Sequence, residues 1–524
     1  MKFQAQASSM STEEVAALLA SYEDLSRQLE WFKRELFGRK SERRIRDADG
    51  RQLTLGELPE AEEPDKGEIE VPAHRRRRRN EGTTETEKVR FDPSVPVKEI
   101  VVEPEGWDES EREQYEKISE KRASRLAQRP GAYVVLRYIR PVYKKKTDET
   151  IHSSPAPASV LERSCADVSF LAGLLIDKLT YHLPLYRQHQ RLSACGVHLA
   201  RSTLTNLVHR TAELLEPIYQ AQVRSILSGE VLAMDETPIK AGRKKRPPPG
   251  RMKSGYFWPI FGDQDEVAFP FSSSRGSTLI RELLRDYQGV LLTDGYDVYE
   301  RYAESVNGIV HAQCWSHTRR HFEKAESSEP KQAGEALDLI AALYDQDEKL
   351  KAKTLSPEKV LAWRRERAMP VVDHFFDHLR TTLERNLLLP TDPFTKAAHY
   401  ALAREESLRI FLEYPDVPLD TNHVERAIRP IAVGRKNWLF CSTEVGALYV
   451  GIVQSLLFTC RLQGVDPYTY LVDVLQRLDS HPAKDVEELT PRIWKTKFAE
   501  NPMRSEVDRV GGSEIRAGEV DADR

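Results

Sequence analysis

Two carboxylates stand where strongly apolar segments end, and these residues are the best suited to chemistry in the sequence. Asp235 follows the run VLAM, and Asp294 follows GVLLT. A carboxylate at the end of a buried strand is destabilising unless it faces a cleft, a cation or a hydrogen-bond donor. Two on neighbouring strands repel each other, and a divalent cation between them is the usual remedy. Turn capping explains either aspartate alone, but for the pair a metal site is the better interpretation.

A third acid lies in the segment TNHVERAIRPIAVGRKNWLF, where functional-looking residues are densest. Four polar or charged side chains recur there at helical spacings of three and four: Asn422, Glu425, Arg426 and Arg429. A cluster that could contact a phosphate backbone and a base follows them: Arg435, Lys436, Asn437 and Trp438. An exposed helix with a Glu425–Arg429 ion pair explains the segment equally well, so the residues alone leave both interpretations open.

Five short apolar runs predict the strands that position the two aspartates. They are VLAMD (231–235), YFWPIFG (256–262), EVAFPFS (266–272), GVLLTD (289–294) and GIVHAQC (308–314). Runs that are apolar throughout are typical of central strands covered on both faces. Helical patterns resume at Ser316 and continue, with breaks, through 331–353, 357–385, 393–414 and 422–478. The sequence therefore predicts an α/β core with a helical insertion.

A helical region from Asp167 to about Leu227 precedes these strands. Its predicted helices are Ser169–Leu179, a second one from Pro184 to Gly196, and Thr203–Leu215 with Ser202 as its cap. A helix, a glycine-containing turn and a helix with basic and amide side chains are the outline of a helix-turn-helix DNA reader, although many helical hairpins share it. The side chains predicted to contact DNA are Arg201, Asn206, His209 and Arg210.

The first 46 residues contain a predicted helix with a heptad seam. Ser11 and Glu14 form a capping box, and Gly38 is suited to the helix end. Six apolar residues between them recur at steps of four and three: Leu18, Tyr22, Leu25, Leu29, Phe32 and Leu36. The seam predicts a coiled coil that forms a homodimer. An amphipathic helix packed on its own chain is the alternative.

The charge is nearly balanced over the whole chain and uneven along it. The 524 residues carry 78 basic and 82 acidic side chains, a net charge of −4, which argues against binding of nucleic acid by bulk charge alone. Basic runs occur between Lys33 and Arg46 and at Arg75–Arg79. Two further basic sites could grip a phosphate backbone, although a solvated loop is the ordinary interpretation: RKKRPPPGRMK (243–253) with Lys244 and Lys245, and the pair Arg319 and Arg320.

Cysteine usage and hydropathy exclude several classes of protein. None of the five cysteines lies in a CxxC pair, which argues against a disulfide framework or a four-cysteine zinc site. For Cys314 and the nearby His311, His317 and His321, packing or DNA contact is a better interpretation than zinc binding. Gln454 and Arg461 within the apolar stretch Val445–Leu462 predict a buried helix rather than a membrane span. We expect a cytoplasmic protein without a membrane partner.

Several of these motifs occur together and in order in one known family. DETP (235–238), TDGY (293–296), HAQCWSHTRRHFEKA (311–325) and NHVERAIRPIAVGRKNWLF (422–440) resemble the DDE transposases of the insertion sequence 66 family. WFKRELFGRKSERR (31–44) resembles that family's N-terminal signature, LPLYRQ (183–188) its DNA-binding region, and LQGVDPYTYLVDVLQRL (462–478) its C-terminal element. TDGY alone is a weak motif, but this many in the same order form a strong resemblance over most of the chain.

The resemblance implies an RNase H-like catalytic core in which Asp235, Asp294 and Glu425 hold two Mg²⁺ ions, with Mn²⁺ as an alternative. One ion would activate water or a 3′-hydroxyl, and the other would stabilise the leaving oxygen. The separation of 59 residues between the aspartates leaves room for two strands, and the 131 residues from there to Glu425 leave room for a helical insertion. The implied function is metal-dependent DNA strand cleavage and strand transfer at the ends of an insertion sequence.

The implied partners are double-stranded DNA (the terminal repeats of the element and the target), a homodimer or higher synaptic oligomer, and accessory proteins encoded by the element. Association with the nucleoid follows from DNA binding. A catalytically silent, transposase-derived DNA-binding protein is the alternative; an altered triad would favour it, and all three acids are present. A two-carboxylate glycosidase is a third hypothesis, against which the content of only 8% aromatic residues argues.

The predicted organisation has eight parts. They are a coiled-coil helix and basic segment (1–46), a polar linker (47–89), a degenerate zinc-ribbon-like region (90–160), a helix-turn-helix-like DNA-binding region (161–228), core strands (229–322), a helical insertion (323–415), the last catalytic helix with its basic cluster (416–462), and a C-terminal helical element and tail (463–524). Many family members use paired cysteines in the ribbon. This chain has none at 90–160, so we expect strands there without a metal.

Overall fold

The computed structural model describes residues 45–46, 52–53, 90–93, 95–103, 115–129, 132–147, 149–243, 252–385, 388–508 and 514–516. The chain divides into two compact units, of which the smaller comprises Met1–Thr84, Arg320–Asp338 and His378–Tyr400, and the larger Glu85–Arg319, Leu339–Asp377 and Ala401–Arg524. The predicted coiled coil, most of the predicted linker, and Lys244 and Lys245 lie outside the described residues.

The strands are, in chain order, β1 (Ile45–Arg46), β2 (Gln52–Leu53), β3 (Arg90–Phe91), β4 (Pro96–Val101), β5 (Tyr115–Arg129), β6 (Ala132–Lys145), β7 (Ile151–Ser153), β8 (Val197–His198), β9 (Val231–Met234), β10 (Thr237–Arg243), β11 (Met252–Phe257), β12 (Ile260–Gly262), β13 (Val267–Ala268), β14 (Phe271–Ser272), β15 (Gly289–Thr293), β16 (Ile309–Gln313) and β17 (Glu514–Arg516).

The α-helices are α1 (Val168–Leu179), α2 (Leu185–Ala194), α3 (Arg201–Leu227), α4 (Thr278–Leu283), α5 (Asp297–Ser305), α6 (Trp315–Ala325), α7 (Pro330–Lys351), α8 (Pro357–Trp363), α9 (Met369–Arg385), α10 (Pro393–Leu402), α11 (Glu405–Arg409), α12 (Asn422–Trp438), α13 (Glu444–Leu462), α14 (Pro467–Arg477) and α15 (Pro491–Lys497). A π-helical segment, Arg364–Ala368, joins α8 to α9, and 3₁₀ turns form at Ile410–Leu412 and Ala483–Leu489.

A sheet occupies the region in which we predicted a degenerate ribbon. Its strand order is β17-β4-β6-β5, with β7 also paired to β6. β5 and β6 form a long antiparallel hairpin, and β4 runs parallel to β6. Val134, Leu136 and Tyr138 of β6 are buried together with Val507. The strands expected at 90–160 are therefore present, while the likeness to a zinc ribbon stays a prediction.

The helical region matches the prediction in its first two helices and differs in the third. Asp167 caps α1, since its Oδ1 accepts a hydrogen bond from the backbone N–H of Ser169 at 2.9 Å. The predicted span Thr203–Leu215 is too short, because α3 continues to Leu227 and Ser202 lies inside it. Pro217 removes one backbone hydrogen bond, but the buried apolar stripe continues beyond it and stabilises the longer helix.

The sheet that carries the two aspartates has the strand order β13-β12-β9-β15-β16. β9, β12 and β13 are antiparallel neighbours, whereas β15 and β16 run parallel to β9. Every residue of β9 is buried, as its apolar sequence predicts. The prediction missed two breaks at Pro259 and Pro270, which cannot donate to a strand ladder. At each break the chain passes from one sheet to another. β11, which precedes Pro259, and β14, which follows Pro270, pair with β10 in a separate three-stranded sheet.

Helix α13 packs against the edge strand β13 of this sheet. The Ser455 hydroxyl accepts a hydrogen bond from Phe269 N at 2.9 Å, and the Thr459 hydroxyl accepts one from Val267 N at 3.1 Å. Gly451 permits this approach, because a Cβ at that position would collide with the Phe269 carbonyl oxygen. The helix is long and apolar enough to cross a membrane, and 61% of its apolar window is buried inside the protein.

The smaller unit is held together by aromatic contacts among its helical segments. Phe322 packs edge-on against Phe394 with ring centroids 5.8 Å apart. The His321 ring stacks on Tyr400 at 4.1 Å. His378 Nε2 lies 3.1 Å from the Gln332 carbonyl oxygen. These contacts join parts of α6, α7, α9 and α10, which form most of the region predicted as a helical insertion.

Candidate active site

Asp235 and Asp294 lie just beyond the carboxyl ends of two neighbouring parallel strands. Ala233 of β9 is opposite Leu292 of β15, and each aspartate lies two residues farther along its chain. This register gives the two side chains equivalent positions on one edge of the sheet. Ligand oxygens of Asp235, Glu236 and Asp294 all lie within 4.8 Å of one another. The structure thus brings together two of the three predicted acids and adds a carboxylate that the prediction did not include.

Each aspartate also accepts a hydrogen bond from the backbone just after it. Asp235 Oδ1 accepts a hydrogen bond from Glu236 N at 2.6 Å, and Asp294 Oδ1 accepts one from Tyr296 N at 3.0 Å. The turn-capping role of Asp294 and its place in the cluster of acids therefore coexist. The two backbone hydrogen bonds orient the carboxylates before any ligand binds.

Glu236 is held by an arginine and a tyrosine. Arg275 donates to Glu236 Oε1 from Nε at 3.1 Å and also from Nη2. The Tyr299 hydroxyl donates to the other oxygen, Oε2, at 3.3 Å. Arg275 in turn lies over the Tyr296 ring, 4.2 Å from its centroid. Both oxygens of Glu236 therefore accept hydrogen bonds from protein side chains, whereas a metal ligand needs a free carboxylate oxygen.

The acid cluster is electrostatically strained without a cation. Burial first, and then the Asp294 carboxylate, raise the pKa of Asp235 to about 7. Burial also raises the pKa of Glu236, although the Arg275 guanidinium opposes the increase. A divalent cation would relieve this repulsion, and carboxylate oxygens are the hard ligands that Mg²⁺ and Mn²⁺ prefer. The residues present thus fit such an ion.

Glu425 lies in the first turn of α12, and hydrogen bonds anchor the start of that helix. The backbone N–H and the hydroxyl of Thr421 both donate to Cys314 Sγ at 3.3 Å. The backbone N–H of Trp315 donates to the Leu419 carbonyl at 2.9 Å. Cys314 follows β16, so these bonds carry Glu425 to the same edge of the sheet as the acid cluster.

His317 links Glu425 electrostatically to the cluster. Its Nε2 lies 3.7 Å from Glu425 Oε1. The same imidazole acts on Asp235, where it opposes the increase in pKa. His317 is therefore near both predicted acids. Sequence reasoning considered this residue only for packing, DNA contact or zinc.

The predicted DNA-contacting residues on α12 fall into two groups. Four of them have exposed side chains: Arg426, Arg429, Lys436 and Asn437. The side chains of the other two form hydrogen bonds within the protein. Arg435 donates to the Thr237 hydroxyl at 3.1 Å and to the Pro238 carbonyl, which ties α12 to β10. Asn422 donates from Nδ2 to Asp420 Oδ2 at 2.6 Å and accepts from the Ser316 hydroxyl at 3.3 Å.

The candidates on α3 and α6 are similarly divided. Arg201 and Asn206 are exposed at the start of α3. His209 faces the Tyr449 ring, with centroids 5.2 Å apart, and Arg210 donates to the Glu162 carbonyl at 2.9 Å. Both candidates on α6, Arg319 and Arg320, are exposed. Only part of the predicted DNA-binding set is thus presented to solvent.

Comparison with known proteins places the chain in one family. The family description "Transposase IS66 family" matches residues 163–449, more than half of the chain. The chain belongs to this family. "IS66 C-terminal element" matches residues 455–492, and "Transposase C of IS166 homeodomain" matches residues 24–100. The resemblance derived from the sequence motifs is confirmed, and the protein is an IS66 family transposase.

This IS66 family transposase has full-length relatives in Sinorhizobium fredii (strain NBRC 101917 / NGR234). "Uncharacterized protein y4hP" is 30% identical over 91% of this chain and 90% of its own length. "Uncharacterized protein y4jD" is 28% identical over 90% and 94%. Among solved structures, the "Drosophila P element transposase strand transfer complex" is 10% identical, with 55% of this chain and 92% of that chain covered at a TM-score of 0.33.

The site of this IS66 family transposase includes residues that the sequence prediction missed. They are Glu236, Arg275, Tyr299 and His317. The signal for Glu236 was its position directly after Asp235 in DETP. His317 stood in the motif CWSH but was assigned to packing or DNA contact rather than to the acids. Arg275 and Tyr299 had no local signal, because their importance depends on contacts between distant parts of the chain.

Proposed function

We propose that this transposase catalyses metal-dependent DNA strand cleavage and strand transfer at the ends of an insertion sequence. The proposed ligands of Mg²⁺, or of Mn²⁺, are Asp235, Asp294 and Glu425. The observation that carries the proposal is the pair of aspartates at the ends of parallel strands, within a group of acids whose oxygens lie within 4.8 Å of one another. Glu425 joins them through its proximity to His317.

The order of the strands supports an RNase H-like core. In the sheet β13-β12-β9-β15-β16, the first three strands along the chain form an antiparallel meander, and the last two cross over to run parallel to the first. The proposed acids follow the first and fourth of these strands and begin the helix after the insertion. This arrangement supports the core that the sequence resemblance implied.

The side chains around the site have separate roles in this proposal. A bound divalent cation would activate an oxygen nucleophile and stabilise the leaving oxygen at phosphorus. Asp235 and Asp294 present preoriented oxygens because each also accepts a hydrogen bond from the backbone just after it. Arg275 and Tyr299 hold Glu236 away from the ligand set. His317 orients the Glu425 carboxylate.

Double-stranded DNA is the proposed substrate. The exposed Arg426 and Arg429 lie within about a turn of Glu425 on α12, where they suit phosphates that flank the scissile bond. Arg201 and Asn206 on α3 and Arg319 on α6 extend the proposed contact surface of the larger unit, and Arg320 of the smaller unit is a further proposed DNA contact. Action as a homodimer or higher synaptic oligomer, with accessory proteins encoded by the element, completes the proposal.

Cleavage of the element's own end DNA tests the proposed activity. Full-length wild type is expected to nick a labelled end fragment in Mg²⁺ or Mn²⁺ and to be inactive with a chelator. Asp235→Asn should lose about 10³-fold in rate, because it removes a ligand that stabilises charge in the transition state. Asp286→Asn is the matched control, since Asp286 is exposed near the amino end of β15. Equal rates for Asp235→Asn and wild type would overturn the assignment. DNA binding without cleavage by wild type would favour the catalytically silent alternative.

A further inference from the structure

A cavity of about 270 Å³ lies between α1, α3 and α13, away from the acid cluster. Most of its walls are apolar, with Leu175, Val208 and Val453 contributed by the three helices. Its mouth is bordered by Phe440, Ser442 and Thr443, whose side chains are exposed. The cavity is therefore open to solvent beside the end of α12, the helix that begins near Glu425. Its volume is close to the lower limit for small-molecule sites and suits one flat group.

One cation lines this apolar cavity without a carboxylate partner among the described residues. Lys178, in the last turn of α1, is half-buried, and its Nζ lies 5.4 Å from the centroid of the Trp438 ring. Burial lowers the pKa of Lys178, and only the Cys441 thiol acts against that shift. An ammonium group in apolar surroundings is destabilising unless acceptors satisfy its hydrogens. Lys178 thus offers donors to a ligand that supplies acceptors.

Aromatic rings provide flat surfaces in the same cavity. His209 and Tyr449 face each other with ring centroids 5.2 Å apart and planes inclined by 54°. Burial, and then Lys178, lower the pKa of His209, so its ring is neutral at physiological pH. Phe440 adds a third ring at the mouth. Aromatic walls with a few hydrogen-bonding groups are the setting in which nucleic-acid enzymes hold an unstacked base.

A strained, exposed apolar residue stands at the mouth. Leu439 has φ +62° and ψ −49°, and the Phe440 N–H donates to the Trp438 carbonyl at 2.7 Å, which closes a γ-turn. This conformation is unfavourable for a branched side chain. Leu439 is 64% exposed and Phe440 39%. Burial therefore does not explain why the chain retains an apolar side chain in this turn.

The turn is clamped on both sides. Before it, Arg435 bonds to Thr237 and Pro238. After it, Cys441 N donates to the Lys240 carbonyl at 2.8 Å, and Gly242 N donates to the Cys441 carbonyl at 3.1 Å. β10 thus holds Leu439 rigidly next to the exposed Lys436 and Asn437. A rigid apolar wedge beside a basic residue suits insertion into a base stack, with the phosphates held alongside.

We propose that this cavity binds one nucleobase extruded from the bound DNA, while Leu439 fills the gap that the base leaves in the stack. The occupant is a keto base, guanine or thymine. Lysine carries only donors, and these two bases present a carbonyl where adenine and cytosine present an amino group. The inference rests on the proposed function in one respect, since it requires the protein to bind DNA.

Fluorescence of 2-aminopurine tests the extrusion in the full chain. End DNA carries the probe directly beside each successive guanine or thymine and is bound to Asp235→Asn protein, so that cleavage cannot alter the signal. Extrusion of that neighbouring base should remove its stacking on the probe and raise the fluorescence several-fold at one position. Addition of Lys178→Met or Leu439→Gly should abolish the increase, and Lys484→Met, which changes an exposed lysine remote in sequence from the cavity, should leave it unchanged. Replacement of the guanine or thymine beside the responding probe by adenine or cytosine should weaken the signal.

The Leu439→Gly variant separates loss of the wedge from loss of the fold. Glycine tolerates a positive φ, so the thermal midpoint of this variant should equal or exceed that of its parent. A free nucleotide is the other source of the same chemistry. Reductive methylation of Lys178, followed by mass spectrometry, distinguishes the two: end DNA should protect the lysine, and millimolar dGMP should protect it less. Protection by dGMP with none by DNA would overturn the DNA assignment.

Failure of this inference can be told apart from failure of the proposed function. Tight DNA binding without a fluorescence increase at any position would overturn the extrusion and leave the cleavage proposal intact. An increase that persists in both Lys178→Met and Leu439→Gly would also overturn it. Extrusion by Asp235→Asn protein, combined with absence of cleavage by wild type, would support the cavity assignment and overturn only the catalytic proposal.

Discussion

Arg275 forms an ion pair with the Glu236 carboxylate, which would otherwise lie beside two aspartates without a cation. Glu236 is 4% exposed and Arg275 is 49% exposed, so the ion pair has one buried and one solvated partner. The Tyr299 hydroxyl satisfies the second oxygen of Glu236. With Glu236 neutralised in this way, the repulsion that a metal would relieve lies between Asp235 and Asp294.

Substitution of Arg275 by glutamine should therefore destabilise the metal-free protein. The buried Glu236 would keep its place beside two aspartates without its cation, and we expect a loss of about 1–3 kcal/mol because the arginine is partly solvated. Urea unfolding without divalent ions measures the loss, and Mg²⁺ should restore part of it. Arg281→Gln changes an exposed arginine on α4 and should have no comparable effect. Equal stability of the two variants would contradict this role for Arg275.

His311 makes the stability of the core depend on pH. Burial first, and then Arg404, lower its pKa to about 4, and its Nε2 lies 2.9 Å from the Thr293 hydroxyl. The unfolded chain takes up this proton below about pH 6.5, whereas the folded protein does so only near pH 4. The contribution of His311 is thus fully present above pH 6.5 and is lost as the pH falls toward 4.

Replacement of His311 by glutamine should flatten that pH dependence. The difference in unfolding free energy between pH 7 and pH 4.5 should shrink by up to about 3 kcal/mol relative to wild type. Equilibrium urea unfolding at the two pH values measures it. His374→Gln removes an exposed histidine and should leave the wild-type dependence in place. A His311→Gln protein with an unchanged dependence would refute the assignment.

At the scale of elements, the residues that hold the start of α12 in place and those on its exposed face have different roles. Asn422 bonds to Asp420 and Ser316 at the helix start, whereas Arg426 one turn later is exposed. We expect Asn422→Ala to cost about 1–2 kcal/mol of stability and to slow cleavage without weakening DNA binding. Arg426→Ala should change the free energy of unfolding by less than about 0.5 kcal/mol relative to wild type. It should also reduce the salt dependence of DNA binding by the equivalent of about one phosphate contact.

Denaturation and binding titrations at several salt concentrations separate these two effects. The pair is informative because both residues were predicted from the sequence to contact DNA. If Asn422→Ala weakened DNA binding as much as Arg426→Ala and left stability unchanged, the anchor role of Asn422 would be wrong.

The elements themselves were largely predictable because their signals are local. The strand that leads to Asp235 is apolar throughout, so its position followed from the sequence alone. Pro259 and Pro270 could have revealed the two strand breaks, since proline cannot continue a ladder. The helical region was predicted to end near Leu227, but the unbroken passage of α3 through Pro217 could not be foreseen, because proline argues for a break and only tertiary burial of the following turns overrides it.

At the scale of the whole molecule, the contacts that complete the site join distant parts of the chain. Arg275 reaches Glu236 across 39 residues, and His317 lies between acids that belong to a strand end and to a helix after the insertion. Side chains of these types are common on any surface. The sequence therefore predicted the two strand-end aspartates and the family, while the groups that hold Glu236 and Glu425 required the tertiary structure.

Oligomeric state is the remaining prediction at this scale. We expect a chain that lacks residues 1–46 to lose the homodimer, because the heptad seam Leu18–Leu36 would be removed. Light scattering after size-exclusion chromatography measures the mass of the full-length and shortened chains. A shortened chain that remains dimeric would assign dimerisation to another surface.

The most direct test of the central claim compares Glu425→Gln with Glu236→Gln in single-turnover cleavage of the same end DNA. Asp235, Asp294 and Glu425 are proposed to hold the metal, while Glu236 is engaged by Arg275 and Tyr299. We predict a loss of about 10³-fold for Glu425→Gln and of less than about tenfold for Glu236→Gln. A severe loss in Glu236→Gln with near-normal cleavage by Glu425→Gln would contradict the assignment of the third ligand.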